Sequence, residues 1–160
     1  MMGYLKSFGY SILAGAALVT LGACAQQSGT GPSSRPEAIA STTSLYDRLG
    51  GKPAITAVVD QFVANVAADS RINARFATTD IPKLKGHLVD QLCGATGGPC
   101  TYTGRSMKTI HAGMRITNDE FNALVQDLVA ALDKFNVPLK EKSDLLALLS
   151  PMKQDIVEMP

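Results

Sequence analysis

This 160-residue chain has no basic run, no alternating strand pattern, no internal repeat and no apolar stretch long enough to cross a bilayer comfortably. Lys and Arg number 15 against 14 Asp and Glu, without clustering, so the electrostatic footprint of a nucleic-acid binder is missing. The lack of period-two alternation argues against a sheet. The early apolar run Ser11–Thr20 falls short of the roughly 20 residues that a spanning helix needs. What is present is 46% hydrophobic and 18% charged, the balance of one globular domain with a continuous core.

Lys6 precedes the apolar run, which leads into Leu21-Gly22-Ala23-Cys24. A charge, a short apolar segment and small residues before a processing site describe an export signal over residues 1–23. The tetrad resembles the bacterial lipobox, which implies cleavage before Cys24 and a diacylglycerol on its sulfur. The alternative is an ordinary cleaved signal with a chance cysteine. Several acyl chains, each adding about 0.8 kcal/mol per buried methylene, would anchor the protein stably to a membrane. Residues 24–43, rich in Ser, Gly, Pro and Gln, then read as a flexible tether to a folded domain over residues 44–160. Ala25 rather than Asp after the lipid cysteine resembles outer-membrane sorting, so the domain is expected in the cell envelope, facing the periplasm.

With Cys24 assigned to lipid, Cys93 and Cys100 remain as an even pair spanning Gly-Ala-Thr-Gly-Gly-Pro. A disulfide is the simplest reading in an oxidising compartment. Two unpaired thiols or a metal site are the rivals, although no nearby His completes a tetrahedral set.

From Ser44 onward the periodicity is helical, and the fold class expected is all-α. Ser44 caps a short helix over Leu45–Leu49, which stops at Gly50-Gly51. Pro53 opens a longer helix with an apolar stripe of Ile55, Val58, Val59, Phe62, Val63 and Val66. A turn over Ile72–Phe76 follows. Asp80 and Pro82 then start a helix with Leu84, His87, Leu88 and Gln91 on one face. Thr117-Asn-Asp-Glu120 matches a capping box ahead of a stripe that runs from Phe121 through Leu124, Val125, Leu128, Val129 and Leu132 to Phe135. The last helix carries Leu145, Leu146, Leu148 and Leu149, bends at Ser150-Pro151 and resumes through Ile156.

Between these helices lies the segment richest in chemical meaning, Tyr102–Ile116. Met107, Ile110, His111 and Met114 recur at helical spacing, which sets one of the chain's two histidines on an apolar stripe. A neutral imidazole among thioethers and aliphatic carbons has few hydrogen-bond partners and is a good ligand for iron in a flat apolar cofactor. Haem is the candidate. No Cys-x-x-Cys-His motif occurs, so thioether attachment by the usual route is not expected and haem b would be held non-covalently.

The ordered set Tyr46-Asp-Arg-Leu-Gly-Gly51, Phe62, Phe76, Leu84-Lys-Gly86, Gly97-Gly-Pro99, Tyr102-Thr-Gly-Arg105, Met107-Lys108 and His111 resembles the group 1 truncated haemoglobins. That family is built as a two-over-two helical sandwich, and the resemblance covers about Ser44 to Val157. It implies that His111 is the proximal iron ligand and that Phe76 packs on the haem face. Phe62, Val63, Leu84, Leu88, Met107 and Ile116 would line the pocket. Arg105 or Lys108 could pair with a propionate, with the Tyr102 hydroxyl assisting. The positions from which many members donate hydrogen bonds to the gas hold Val63 and Leu88, and Leu84 stands at the usual gate. An apolar distal side forgoes about 1–3 kcal/mol of charge-assisted hydrogen bonding. His87 aligns with the position that supplies a sixth iron ligand in some cyanobacterial members; its alternative is to point outward to solvent or a propionate.

The resemblance thus implies reversible binding of O2, NO or CO. The alternatives are a nitric oxide dioxygenase or peroxidase-like enzyme, a bis-histidyl electron-transfer or redox-sensing protein, and a haem-free helical lipoprotein. The enzyme would need an external reductase, because no flavin or nicotinamide motif is present.

Overall fold

The computed structural model describes residues 43–159. The signal, Cys24 and nearly all of the tether fall outside the described residues. Seven α-helices follow in chain order: α1 (Leu45–Arg48), α2 (Gly51–Ala68), α3 (Ile81–Ala95), α4 (Met107–His111), α5 (Asn118–Lys134), α6 (Leu139–Leu149) and α7 (Lys153–Ile156). Short 3-10 turns cover Asn73–Phe76 and Ser150–Met152. Among the described residues the only β feature is an isolated parallel bridge between Thr117 and Met159.

Local chemistry sets most of the boundaries. The Ser44 hydroxyl accepts from the Asp47 amide at 3.1 Å and caps α1. Asp80 does the same for α3 through the Lys83 amide at 3.0 Å. Thr117 and Glu120 form the full capping box of α5: the Glu120 amide donates to the Thr117 hydroxyl at 3.2 Å, and the Thr117 amide donates to the Glu120 carboxylate at 2.9 Å. Helix α2 begins at Gly51, ahead of the expected Pro53, which still lies in the first turn, where an amide has no partner within the helix.

Helix α2 packs against both α3 and α5. Ile55, Val58, Val59, Phe62, Val63 and Val66 are all buried, so the expected stripe is the centre of the core. Helix α3 contributes Val89, Leu92 and Cys93, and α5 contributes Ala123, Leu128, Ala131 and Leu132. Asn65 crosses from α2 to donate to the Asp127 carbonyl at 2.9 Å, which fixes the axial register of α2 against α5.

Three expectations need correction. Helix α4 ends at His111 instead of continuing through Met114, because Gly113 and Arg115 take positive φ angles of 79° and 53° and turn the chain. Phe135 is not part of the buried stripe of α5: it sits past the end of that helix and is 45% exposed, since the helix terminates at Lys134. Leu148 is 44% exposed, so of the four leucines expected on the last helix only Leu145 is fully buried. The break at Ser150-Pro151 and the resumption through Ile156 are present.

Candidate haem site

The two histidines lie on rows that the protein covers only in part. On α3 the buried row is Val89, Leu92 and Cys93, while Leu84, His87, Leu88 and Gln91 are half-buried. On α4, Met107, Ile110 and His111 are half-buried as well. Apolar rows that the protein leaves partly uncovered are what a bound apolar cofactor would complete.

Ser106 caps α4, its hydroxyl accepting from the Thr109 amide at 3.2 Å. His111 closes the helix, and its Nδ1 lies 2.8 Å from the Met107 carbonyl oxygen one turn earlier. A carbonyl can only accept, so the contact places the proton on Nδ1 and leaves the Nε2 lone pair free for a metal. This is the tautomer and orienting bond typical of a ligating histidine.

A cavity of about 540 Å³ opens beside the end of α3, the loop after it and the start of α4, and neither His87 nor His111 is in its wall. Gln91 and Ala95 of α3, Cys100 and Tyr102 of the connecting loop, Met107 of α4 and Met152 near α7 form its wall. The volume falls in the range of roughly 300–1,000 Å³ usual for small-molecule and cofactor sites. Gln91 donates from Nε2 to the Met152 sulfur at 3.2 Å. The Tyr102 ring meets the His87 ring edge-on, with centroids 5.9 Å apart and planes at 69°.

Cys93 and Cys100 are joined by a disulfide with Cα atoms 5.6 Å apart. It ties the buried end of α3 to the loop two residues before Tyr102. The loop can fold back only because position 98 is glycine: a Cβ there would lie 2.4 Å from the Tyr46 ring and 2.8 Å from the Cys93 carbonyl.

The expected site residues separate into groups. Tyr102 and Met107 reach the cavity wall. Phe62 and Val63 belong to the core on α2, with Phe76 and Leu88 packed against that core and Leu84 half-buried on α3. Ile116 is buried beyond α4. Arg105 and Lys108 are exposed and make no ion pair among the described residues. The Tyr102 hydroxyl donates to the Arg105 carbonyl at 2.8 Å, so its proton is engaged within the loop and not held out for a propionate. Gln91, Met152 and Glu158 were not singled out from the sequence as site residues. For Gln91 the signal was its place one turn beyond His87.

Beyond His111 the chain is held from a distance. The Glu158 carboxylate accepts from the Gly113 amide at 2.7 Å and the Arg115 amide at 2.5 Å. These two amides hold its carboxyl below the ordinary glutamate range. Arg75 donates to the Met114 carbonyl at 2.9 Å and to the Glu120 carboxylate at 2.7 Å.

Comparison with known proteins identifies the family. The chain belongs to the bacterial-like globin family, whose model matches residues 44–158. Within that family it is similar to truncated haemoglobins. It is 37% identical over 117 residues to the group 1 truncated haemoglobin GlbN of Mycolicibacterium paratuberculosis, covering 73% of this chain and 86% of the relative. The Fe(III) structure of truncated haemoglobin from Tetrahymena pyriformis is matched at a TM-score of 0.70 and 30% identity, over 72% of this chain and 98% of that one. A 2/2 haemoglobin from a Synechococcus species, solved in the cyanomet state with covalently attached haem, is matched at a TM-score of 0.68 and 31% identity, over 72% and 98% of the two chains. The all-α, two-over-two fold is that of these globins.

Proposed function

We propose that this globin holds one haem b non-covalently through His111 and reversibly binds a diatomic gas, O2, NO or CO. The observation that carries the reading is the Nδ1 contact of His111 with the Met107 carbonyl at 2.8 Å, which leaves Nε2 ready for iron. Met107, whose carbonyl holds the ring, also lines the cavity formed with Tyr102 and Gln91. Arg105 and Lys108, exposed at the start of α4 and just before it, offer cations to the propionates. Bound haem supplies the iron centre at which the gas is held.

The family and the donor set support haem. Retention without a covalent link rests on this chain's own chemistry. Cys93 and Cys100 are spent on each other, and the chain has only two histidines. The Synechococcus relative with covalently attached haem therefore marks a difference to test, not a template. Val63, Leu84 and Leu88 give the distal side little hydrogen-bonding power, which favours a gas carrier over tight oxygen storage.

The decisive experiment compares ferric, ferrous and CO spectra of the wild type and His111→Ala. The wild type should show a Soret band and a CO shift. Haem affinity should fall by more than about 100-fold in the variant, beyond the 10–100-fold typical of losing an outer-shell partner. A His111→Ala protein that keeps its pigment and axial coordination overturns the reading. Acid-acetone extraction should release the haem; retention on the chain would show a covalent bond.

The place of action proposed is the cell envelope, through lipid on Cys24. Mass spectrometry of the membrane fraction should find the mature chain beginning at an acylated Cys24. An unmodified chain would remove the anchor but leave the haem site untouched.

A further inference from the structure

Helix α4 is five residues long and ends at the histidine itself. So short a helix cannot hold its own register, because helix nucleation is costly and each added bond contributes little. The position of His111 must therefore be imposed from outside the helix. Its carbonyl accepts from the Met114 amide at 3.0 Å, so the imidazole is coupled directly to the turn over residues 112–116.

That turn is gripped by the last residues of the described chain. Glu158 takes the Gly113 amide on one carboxylate oxygen and the Arg115 amide on the other, across more than 40 residues of sequence. The Ile116 carbonyl accepts from the Glu158 and Met159 amides, both at 3.0 Å. The Asn118 amide returns a bond to the Met159 carbonyl at 3.2 Å. Gly113 and Arg115, the two residues whose amides are taken, are the two positions of this turn at positive φ. A non-glycine residue in that conformation costs energy and persists only where its surroundings enforce it. The carboxylate is the enforcing group for Arg115.

We propose that Glu158 is a positioning residue for His111: by clamping the turn that follows α4, it sets the reach of the imidazole and the strength of the bond His111 makes to iron. The inference rests on the haem reading above for its effect on iron, whereas the clamp is made of this chain's own groups. Arg75, which holds the Met114 carbonyl on the same turn, is the second anchor and limits how far the turn can drift when the first is lost.

The test uses the folded wild-type chain, Glu158→Ala and Glu158→Gln. In the proteins as purified, amide exchange at Gly113 and Arg115 should speed up by at least about tenfold in Glu158→Ala. Glu158→Gln keeps one acceptor oxygen and should lose protection at only one of the two amides. In the haem-loaded ferrous proteins, the iron–histidine stretching band should shift and broaden in Glu158→Ala. Haem transfer to an excess of acceptor apoglobin should quicken about tenfold, the low end of outer-shell effects. Glu158→Gln should lie between, and it decides the matter should the alanine variant fail to fold. Unchanged amide protection, or an unchanged stretching band with haem loss within twofold of wild type, overturns the clamp. A wild type that takes up no haem overturns the parent function and leaves amide exchange as the sole judge of the clamp.

Discussion

Arg75 and Glu120 meet at 2.7 Å across 45 positions of sequence, and the same carboxylate closes the capping box of α5. One side chain, Arg75, thus joins the 3-10 turn, the start of α5 and the Met114 carbonyl beyond α4. The Arg75 guanidinium, with help from the Thr117 amide, holds the Glu120 carboxyl below its ordinary value. Stability from this group is fully present above the unfolded glutamate pKa and is lost as pH falls through the lowered folded value. Arg75→Ala should destabilise the fold modestly at neutral pH, because the charged bond it removes is partly exposed and screened by solvent. The penalty should shrink on acidification. Urea unfolding at pH 7 and at pH values stepping below the carboxylate range checks both statements, and a penalty that grows with acid would contradict them.

Loss of the Thr117 hydroxyl removes the other half of the same box. Thr117→Ala should destabilise by about 1 kcal/mol, whereas Thr117→Ser should be nearly neutral because the cap needs only the oxygen. Chemical denaturation of the two variants side by side is sufficient. Equal losses in both would show that the methyl group, not the cap, is what matters.

The Tyr102 ring meets His87 edge-on, so any coordination of iron by that imidazole would have to give up this contact. An edge-on aromatic contact is worth about 0.5–1.5 kcal/mol, so if His87 ligates, Tyr102→Ala should raise the ratio of six-coordinate low-spin to five-coordinate ferric protein roughly twofold to tenfold. His87→Ala should abolish the low-spin form. If the low-spin fraction persists in His87→Ala, a different group provides the sixth ligand, and the bis-histidyl alternative goes with it.

The Cys93–Cys100 bridge closes a short loop, for which chain entropy gives about 2–3 kcal/mol. Cys93→Ala/Cys100→Ala should therefore melt about 8–12 °C lower, at roughly 4 °C per kcal/mol for a domain of this size. A dithiol reductant should lower the wild-type Tm by a similar amount and leave the double variant unmoved. Equal sensitivity of both proteins would mean that the reductant acts elsewhere.

Local signals were legible in the sequence, and contacts between distant segments were not. All six residues of the α2 stripe are buried, and the α5 cap is where Thr117 and Glu120 placed it, because periodicity and capping depend on neighbours within a turn. The bend at Pro151 was visible for the same reason. Helix α4 stops early through a turn held by Arg75 and Glu158, neither of which is near it in sequence. Phe135 satisfied the spacing of a buried stripe but lies just beyond the helix end, where periodicity no longer dictates direction. At the site, His111 stood out because an imidazole on an apolar row is chemically unusual. Met152 completes the cavity wall only after the chain folds back from its far end.

The acceptor that fixes the His111 ring belongs to the main chain, and this separates two properties that a side-chain acceptor would bind together. Replacing Met107 alters the shape and softness of the cavity wall, yet the carbonyl at that position stays in place whatever side chain it carries. Variation at position 107 can therefore reshape the cavity wall without moving the acceptor that orients the imidazole.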